Sequence, residues 1–312
     1  MATPKPTPFT LNIPDDKLAW ITDRVKTARL PPAKSLPSGR EWDWGLPQDV
    51  ASRMQKYWAN EYDWRRTEDK INSQLKMYTL PISHEGEDLS IHFVHHPSPS
   101  PDAVPLLFLH GWPGSFLEVQ PIIDELVNPA SPTAQAYHVV APSLPGFGFS
   151  SYPAAPFNVT KIAATMNKVM LALRYDKYIC QAGDWGSIVV RVLAYDHPDH
   201  CVGIHLNFVP AVPPSAWNAP LAFGKLIFCY VTGWWGDFEG KMLKRMKWWM
   251  DDESGYFAMQ GTKPLTLANT LTDSPFGTLC WIREKVQNLK EEDFVWEDEE
   301  MITWAMVRRS FD

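Results

Sequence analysis

The sequence predicts an α/β fold in which a largely parallel sheet is followed by a separate helical unit. Short runs rich in β-forming residues recur between residues 77 and 209, and helical patterns separate the later runs. Strands that alternate with helices are typical of a parallel sheet covered by helices. After Pro210 the strand pattern ends, and the remaining sequence is helical in pattern and rich in tryptophan.

The first 75 residues are predicted to be mainly helical. Apolar residues recur on one helix face over residues 15–30, and this pattern ends at Pro31-Pro32. Residues 48–58 and 67–78 show a similar pattern. Between the first two helices, residues 31–47 are rich in Pro, Gly and Ser, which is typical of an extended arm.

The core that follows is expected to contain six strands. They cover residues 77–82, 89–95, 104–110, 137–142, 178–182 and 203–209. Helices are expected over residues 117–126, 159–173 and 187–196, the second of them capped by Asn158 or Thr160. The expected domains are a helical N-terminal region with its arm (1–75), an α/β core (76–209) and a helical, cap-like unit (210–312). The acidic stretch 291–300 is expected to be a solvated face.

Composition limits the classes of function. Asp and Glu number 36 against 29 Lys and Arg, and the resulting net charge of −7 argues against a nucleic-acid partner. The first 16 residues lack the pattern of a signal peptide, and the apolar run at 221–235 is shorter than the ~20 residues that a spanning helix needs. Four cysteines are widely spaced, without a CxxC pair. We therefore expect a cytoplasmic protein without a spanning segment or a metal site.

One segment carries the sharpest chemical signal. Asp184 lies between a predicted strand and a predicted helix, with Ala182 and Gly186 two positions on either side. Small residues at this spacing are typical of a nucleophile elbow, a strained turn that exposes one side chain. A carboxylate there would attack a saturated carbon, such as that of an epoxide or a haloalkane, and form an alkyl ester. The alternative is that Asp184 is an ordinary helix cap.

Two further loops follow neighbouring strands. His110-Gly111-Trp112-Pro113-Gly114 follows the third predicted strand, and in α/β-hydrolases this loop supplies one backbone N–H of the oxyanion hole. The residue after the nucleophile supplies the other, so Trp112 and Trp185 are the candidate donors. The alternative for this segment is a plain Pro-Gly turn. A third motif, at residues 142–150, places Pro and Gly at the carboxyl end of the next strand, where α/β sites lie.

Together these motifs resemble the α/β-hydrolase epoxide hydrolases. Segments of the N-terminal half are similar to the microsomal-type branch that carries the epoxide hydrolase N-terminal region, and the missing anchor suggests its soluble subgroup. The segments are Pro8-Phe9, Ile13-Pro14-Asp15, Arg29-Leu30-Pro31, Trp42-Asp43-Trp44-Gly45, Tyr57-Trp58, Tyr62-Asp63-Trp64-Arg65 and Ile91-His92-Phe93-Val94-His95.

This resemblance implies an activity and a set of roles. Asp184 would be the nucleophile that opens an apolar epoxide, and hydrolysis of the resulting ester would give a diol. Tyr256 matches the first of two cap tyrosines, whose phenol donates a hydrogen bond to the developing alkoxide. The alternative for Tyr256 is a packed aromatic side chain. The resemblance implies no metal and no organic cofactor.

The same resemblance implies a charge-relay histidine, an acidic partner and a second cap tyrosine beyond the cap. All nine histidines lie at or before His205, so the sequence offers no match for that histidine. We therefore expect the sheet to stop after the sixth of eight core strands, the sequence to be incomplete at its C-terminal side, and ester hydrolysis to be impaired. A ligand-binding protein without turnover, a truncated gene product and, less favoured, a haloalkane dehalogenase are the alternatives. The arm at residues 31–47 offers a contact for a homodimer.

Overall fold

The computed structural model describes residues 4–32, 36–210, 213–290 and 294–309. It divides into two compact units. The first comprises Met1–Phe208 and Ser274–Asp312, and the second comprises Val209–Asp273. The expected cap-like unit over residues 210–312 is therefore shorter than predicted, because its last helices belong to the first unit.

A seven-stranded mixed sheet forms the centre of the first unit, with the strand order β1-β2-β3-β5-β4-β6-β7. The four strands β5-β4-β6-β7 pair in parallel, while the pairs β1-β2, β2-β3 and β3-β5 are antiparallel, so the expected largely parallel sheet is corrected to a mixed one. The strands are β1 (Thr7–Phe9), β2 (Met77–His84), β3 (Glu87–His96), β4 (Val104–Leu109), β5 (Tyr137–Pro142), β6 (Tyr178–Ala182) and β7 (Cys201–Leu206).

Two local features explain the antiparallel pairing of β1, β2 and β3. Glu85 and Gly86 form a two-residue turn between β2 and β3, both with positive φ (49° and 85°), which is the twist that a tight hairpin favours. Strand β1 was not predicted. It has three residues and contains Pro8, which is tolerated because β1 lies at the edge of the sheet. The count of strands in the described residues is therefore seven rather than six.

One face of the sheet is covered by helices from both ends of the chain. These helices are α1 (Asp15–Thr27), α2 (Gln48–Asn60), α3 (Trp64–Gln74), α11 (Pro275–Asn288) and α12 (Asp298–Arg309). Helix α11 packs against α1, and α12 packs against α2 and α11. Their buried apolar residues, among them Leu279, Ile282 and Met306, join those of the N-terminal helices in one core. This burial places α11 and α12 with the core rather than with the second unit.

The other face is covered by α5 (Val159–Ala172) and α6 (Asp184–Asp196), which bury Met166, Met170 and Val190 against the sheet. As predicted, Asn158 caps α5, because its side chain accepts a hydrogen bond from the backbone N–H of Lys161 at 3.0 Å. The helix expected at 117–126 is instead a 3₁₀ turn at Phe116–Val119 followed by the short α4 (Ile123–Val127). Pro121 lies between them and interrupts the helix.

The second unit contains α7 (Pro220–Thr232), α8 (Asp237–Trp248), a π-helical turn at Trp249–Glu253, α9 (Gly255–Thr262) and α10 (Pro264–Asp273). Gly233 ends α7 in the left-handed conformation, with φ of 68°. Across the described ranges, none of the helices combines the length and apolarity needed to cross a membrane.

The acidic stretch 291–300 is not simply a solvated face. Residues 291–293 lie outside the described residues, but Asp298 forms an ion pair with Arg53 at 2.8 Å, and Glu299 forms one with Arg66 at 3.4 Å. Both arginines belong to the N-terminal helices, so these ion pairs help to hold α12 against those helices. Of the expected arm, residues 33–35 are outside the described part, and Trp42 packs against Arg283 of the same chain, 4.8 Å from guanidinium carbon to ring centroid.

Candidate active site

Asp184 occupies a strained turn between β6 and α6. Its φ of +46° lies in the left-handed region, which residues with a Cβ rarely adopt. The turn also brings two backbones together, since a Cβ on Gly186 would lie 2.6 Å from the carbonyl oxygen of Leu109 and 2.7 Å from that of His110. Gly186 is therefore needed for this close approach, and the geometry is that of a nucleophile elbow.

The loop after β4 supplies the first donor to this carboxylate. The backbone N–H of Trp112 donates a hydrogen bond to Asp184 Oδ1 at 2.7 Å. Gly111 makes room for the contact, because a Cβ there would overlap Oδ1 and lie 2.7 Å from the backbone nitrogen of Trp185. The segment is thus more than a Pro-Gly turn, since it holds the elbow carboxylate.

Trp185 supplies the second donor. Burial raises the pKa of Asp184 above its ordinary value, whereas hydrogen bonds from the backbone N–H groups of Trp185 and Trp112 act in the opposite direction. Asp184 is also the first residue of α6, where the helix dipole favours negative charge. Two backbone N–H groups that hydrogen-bond to this carboxyl group suit the oxyanion of a later tetrahedral intermediate.

His110 connects this loop to the third motif. Its Nε2 accepts a hydrogen bond from the backbone N–H of Leu144 at 3.1 Å, so Nδ1 carries the proton and donates to the carbonyl oxygen of Gly111, also at 3.1 Å. Burial lowers the pKa of His110 to about 4, which keeps the ring neutral. Both nitrogens are therefore occupied, and His110 has a structural role rather than that of a base.

Sequence reasoning missed Glu118, a second carboxyl group near the elbow. It lies in the 3₁₀ turn after the loop, where a helix was expected. Burial, together with the negative charge of Asp184, raises the pKa of Glu118 to about 8. The sequence alone does not mark Glu118; in the structure a Cβ at Gly114 would lie 2.7 Å from Glu118 Cδ.

A cavity of about 1030 Å³ in the first unit has Glu118 in its lining. Its apolar floor is formed by side chains of β4 and β6, and Trp296 and Trp304 contribute to its wall. Its polar lining includes Glu118 and Asn207. Asn207 lies beside the elbow, because a Cβ on Gly183 would come within 2.6 Å of Asn207 Oδ1. The cavity thus combines apolar surface with a few polar groups, as ligand sites do.

The structure brings together three of the four predicted site residues, Asp184, Trp112 and Trp185. The fourth, Tyr256, lies in the second unit near the start of α9, and its ring packs edge-on against Trp249 with centroids 6.4 Å apart. Its catalytic role stays a prediction. Within the described ranges, no group of three or more His, Cys, Asp or Glu side chains is arranged to hold a metal ion.

The fold and the elbow define a protein of the α/β-hydrolase class, and comparisons with known proteins support this assignment. Residues 104–225 match the family described as alpha/beta hydrolase fold. Residues 6–119 match the family described as epoxide hydrolase N terminus. The chain is 32% identical to epoxide hydrolase 1 of Sus scrofa over 299 residues, which cover 92% of this chain and 63% of that protein.

Comparison with solved structures supports the same assignment. Aspergillus niger epoxide hydrolase matches 99% of this chain and 77% of its own, with 32% identity and a TM-score of 0.82. The juvenile hormone epoxide hydrolase of Bombyx mori matches with a TM-score of 0.81 at 26% identity, over 99% of this chain and 78% of its own. The chain belongs to the α/β-hydrolase epoxide hydrolases with the epoxide hydrolase N-terminal region. It spans about 60% of the length of the curated relatives it matches.

Proposed function

We propose that this protein opens an apolar epoxide through an alkyl ester on Asp184. In the first step, a carboxylate oxygen of Asp184 attacks a ring carbon, the carbon–oxygen bond of the ring breaks, and the ring oxygen becomes an alkoxide that takes up a proton. We assign Tyr256 as the donor of a hydrogen bond to this oxygen, because a phenol suits the developing negative charge. The observation that carries the proposal is the strained elbow carboxylate held by two backbone N–H groups.

Burial of Asp184 supports its role as a nucleophile. A carboxylate that is partly removed from water is less well solvated and therefore more reactive, and the pKa of Asp184 is raised for the same reason. The two N–H donors act in the opposite direction and favour the charged form that attacks.

The second step is hydrolysis of the ester. Water attacks the Cγ carbon of Asp184 and loses one proton to solvent, the negative charge collects on the carbonyl oxygen, and the N–H groups of Trp112 and Trp185 stabilise it. Collapse of this intermediate breaks the ester bond, and the remaining acid proton passes to the departing alkoxide, which restores the carboxylate and releases the diol. The same two donors thus serve both steps.

The experiment is intact-mass analysis of the protein after incubation with styrene oxide, beside the Asp184→Ala variant. We expect either an adduct of one styrene oxide mass or accumulation of the diol, and neither should occur with the variant. The absence of both from folded protein would contradict the proposal. Tight binding without covalent change would then favour a ligand-binding protein, and halide release from a haloalkane would favour a dehalogenase.

Two further proposals concern partner and location. We assign the protein to the cytoplasm, and we keep the arm at residues 31–47 as a contact for a homodimer. Sedimentation of the purified protein, with and without deletion of residues 36–40, tests the dimer. A monomer at all concentrations would contradict it.

A further inference from the structure

An arginine near the end of α12 contacts the loop at residues 110–114. Arg308 donates a hydrogen bond from Nε to the carbonyl oxygen of Pro113 at 3.2 Å. The residue before Pro113 is Trp112, whose backbone N–H donates to Asp184 Oδ1 at 2.7 Å. The arginine contact and the N–H that holds the elbow carboxylate thus belong to adjacent residues of one loop.

The guanidinium of Arg308 also lies over two aromatic rings. Its central carbon is 5.9 Å from the ring centroid of Trp112 and 5.7 Å from that of Phe147, and both distances fall within the ~6 Å of a cation–π contact. Phe147 belongs to the third motif, at residues 142–150. One side chain therefore contacts the loops after β4 and β5 together. A planar guanidinium suits this place, because it can donate in its plane while its face covers a ring.

The charge of Arg308 is held where little water reaches it. Burial lowers the pKa of Arg308 to about 10, so the group stays protonated at pH 7. Its Nη2 is shielded from solvent and has no hydrogen-bond partner within the described residues. A buried donor without a partner destabilises the folded state. The place of this cation is therefore not explained by stability alone.

Helix α12 has other contacts that hold it in place. At its start, Asp298 pairs with Arg53 at 2.8 Å. Farther along, Ile302 and Met306 are buried in the core that α12 shares with the N-terminal helices. Arg308 follows these contacts as the last residue but one of the helix. The helix is thus a fixed support from which the Arg308 side chain reaches the loop.

From these contacts we infer that Arg308 is a positioning residue of the reaction, which holds the loop at residues 110–114 so that the Trp112 N–H stays directed at the Asp184 carboxyl group. This role deepens the proposed function and rests on it for its effect on the rate. Arg308 makes and breaks no bond in either step. It acts through the carbonyl oxygen of Pro113, and hence through the place of the neighbouring N–H.

The first measurement does not require activity. The Trp112 amide proton is bonded to a carboxylate, so its NMR chemical shift and its exchange with solvent report that contact. In Arg308→Met we expect an upfield shift and exchange at least ~10-fold faster, as for the loss of one hydrogen bond to a charged group. The amide of Met306 should keep its protection, because α12 has other contacts. If Arg308 only fastened the helix, the Met306 amide would change and the Trp112 amide would not.

The second measurement is the rate at which styrene oxide is converted to adduct and diol, followed by rapid quenching and intact mass. Arg308→Met should lower this rate by ~10–100-fold, because a displaced N–H no longer orients the carboxylate. Arg308→Lys keeps the charge without the planar fork and should be intermediate. In Arg308→Ala, guanidinium chloride far below denaturing concentrations should restore part of the rate, whereas sodium chloride should not.

Arg283 of α11 provides the matched control. It is a buried arginine whose guanidinium carbon lies 4.8 Å from the ring centroid of Trp42, and its Nε has no partner within the described ranges. Arg283→Met therefore removes the same group from the neighbouring helix without touching the loop. It should leave the Trp112 amide and the rate unchanged. Urea denaturation of both variants shows whether they lose similar stability.

Two results would overturn the inference. One is a Trp112 amide that is the same in Arg308→Met and in the unaltered protein. The other is an equal fall in rate in Arg308→Met and Arg283→Met, since lost stability would then explain both. If Arg308→Met does not fold, Arg308→Lys is judged by the same two criteria. If the unaltered protein gives neither adduct nor diol, the proposed function fails, and the amide measurement still decides whether Arg308 holds the loop.

Discussion

The strained backbone at Asp184 makes a prediction that does not depend on activity. Glycine at this position should give a more stable protein than alanine does. The φ of +46° is free of strain for glycine, while a Cβ in the left-handed region costs roughly 1–2 kcal/mol. Both variants lack the carboxylate and its hydrogen bonds, so their difference isolates the backbone.

The expected magnitude follows from two opposing contributions. Relief of strain favours glycine by roughly 1–2 kcal/mol, and the greater freedom of glycine in the unfolded chain opposes it by about 0.4–1 kcal/mol. The net result is about 0.5–1 kcal/mol in favour of Asp184→Gly over Asp184→Ala. This order of stability, with glycine above alanine, is the reverse of the order usual within a helix.

Urea denaturation followed by tryptophan fluorescence measures the difference, provided that the variants share one slope. Arg191, an exposed residue of the same helix, provides the matched control. There, Arg191→Gly should be less stable than Arg191→Ala by about 1 kcal/mol, because α6 is regular at that point. If alanine at position 184 were as stable as glycine or more so, the elbow would not be strained and the reasoning would be wrong.

Three further predictions concern the loop, the buried histidines and a helix cap. Gly111→Ala should abolish the Asp184 adduct, because the added methyl group overlaps the carboxylate, while Gly224→Ala, with nothing within 4 Å, should leave the adduct unchanged by intact mass. Burial lowers the pKa of His92 to about 3 and that of His110 to about 4, so below pH ~6.5 the unfolded chain takes up protons that the folded chain refuses. Each of these two histidines should therefore lower the stability by about 2 kcal/mol between pH 7 and pH 5, and His110→Gln should make that fall about 2 kcal/mol smaller in urea titrations. Asn158→Ala should cost about 1 kcal/mol through loss of the α5 cap, while Asn158→Asp should keep most of that stability; thermal unfolding of both variants checks this.

The elbow could be predicted from sequence because its cause is local. A strand, a helix and small residues at Ala182 and Gly186 already specify the turn, so Asp184 could be identified without any tertiary information. The oxyanion loop was recognisable for the same reason. Strands β5 and β6 have the predicted bounds, since short runs of β-formers between clear breaks leave little choice.

What sequence reasoning missed depends on contacts between distant segments. Strand β1 has only three residues, and its pairing with β2 across about 70 residues leaves no local pattern. Helix α11 has an ordinary amphipathic sequence, and only its packing against α1 shows that it belongs to the first unit. Glu118 looks like any acidic residue of a surface helix, because its altered pKa comes from burial and from Asp184.

The packing of α11 and α12 on the N-terminal helices has a consequence for biosynthesis. Residues of α1 and α2 emerge from the ribosome early, but the part of their apolar faces that packs on α11 and α12 is covered only when residues 275–309 have followed. At ~5–20 residues per second, the roughly 200 residues between α3 and α11 take about 10–40 s to synthesise. During that interval the nascent chain exposes the surface that later becomes its core, so we expect productive folding to depend on chaperones that hold the N-terminal helices until α11 arrives.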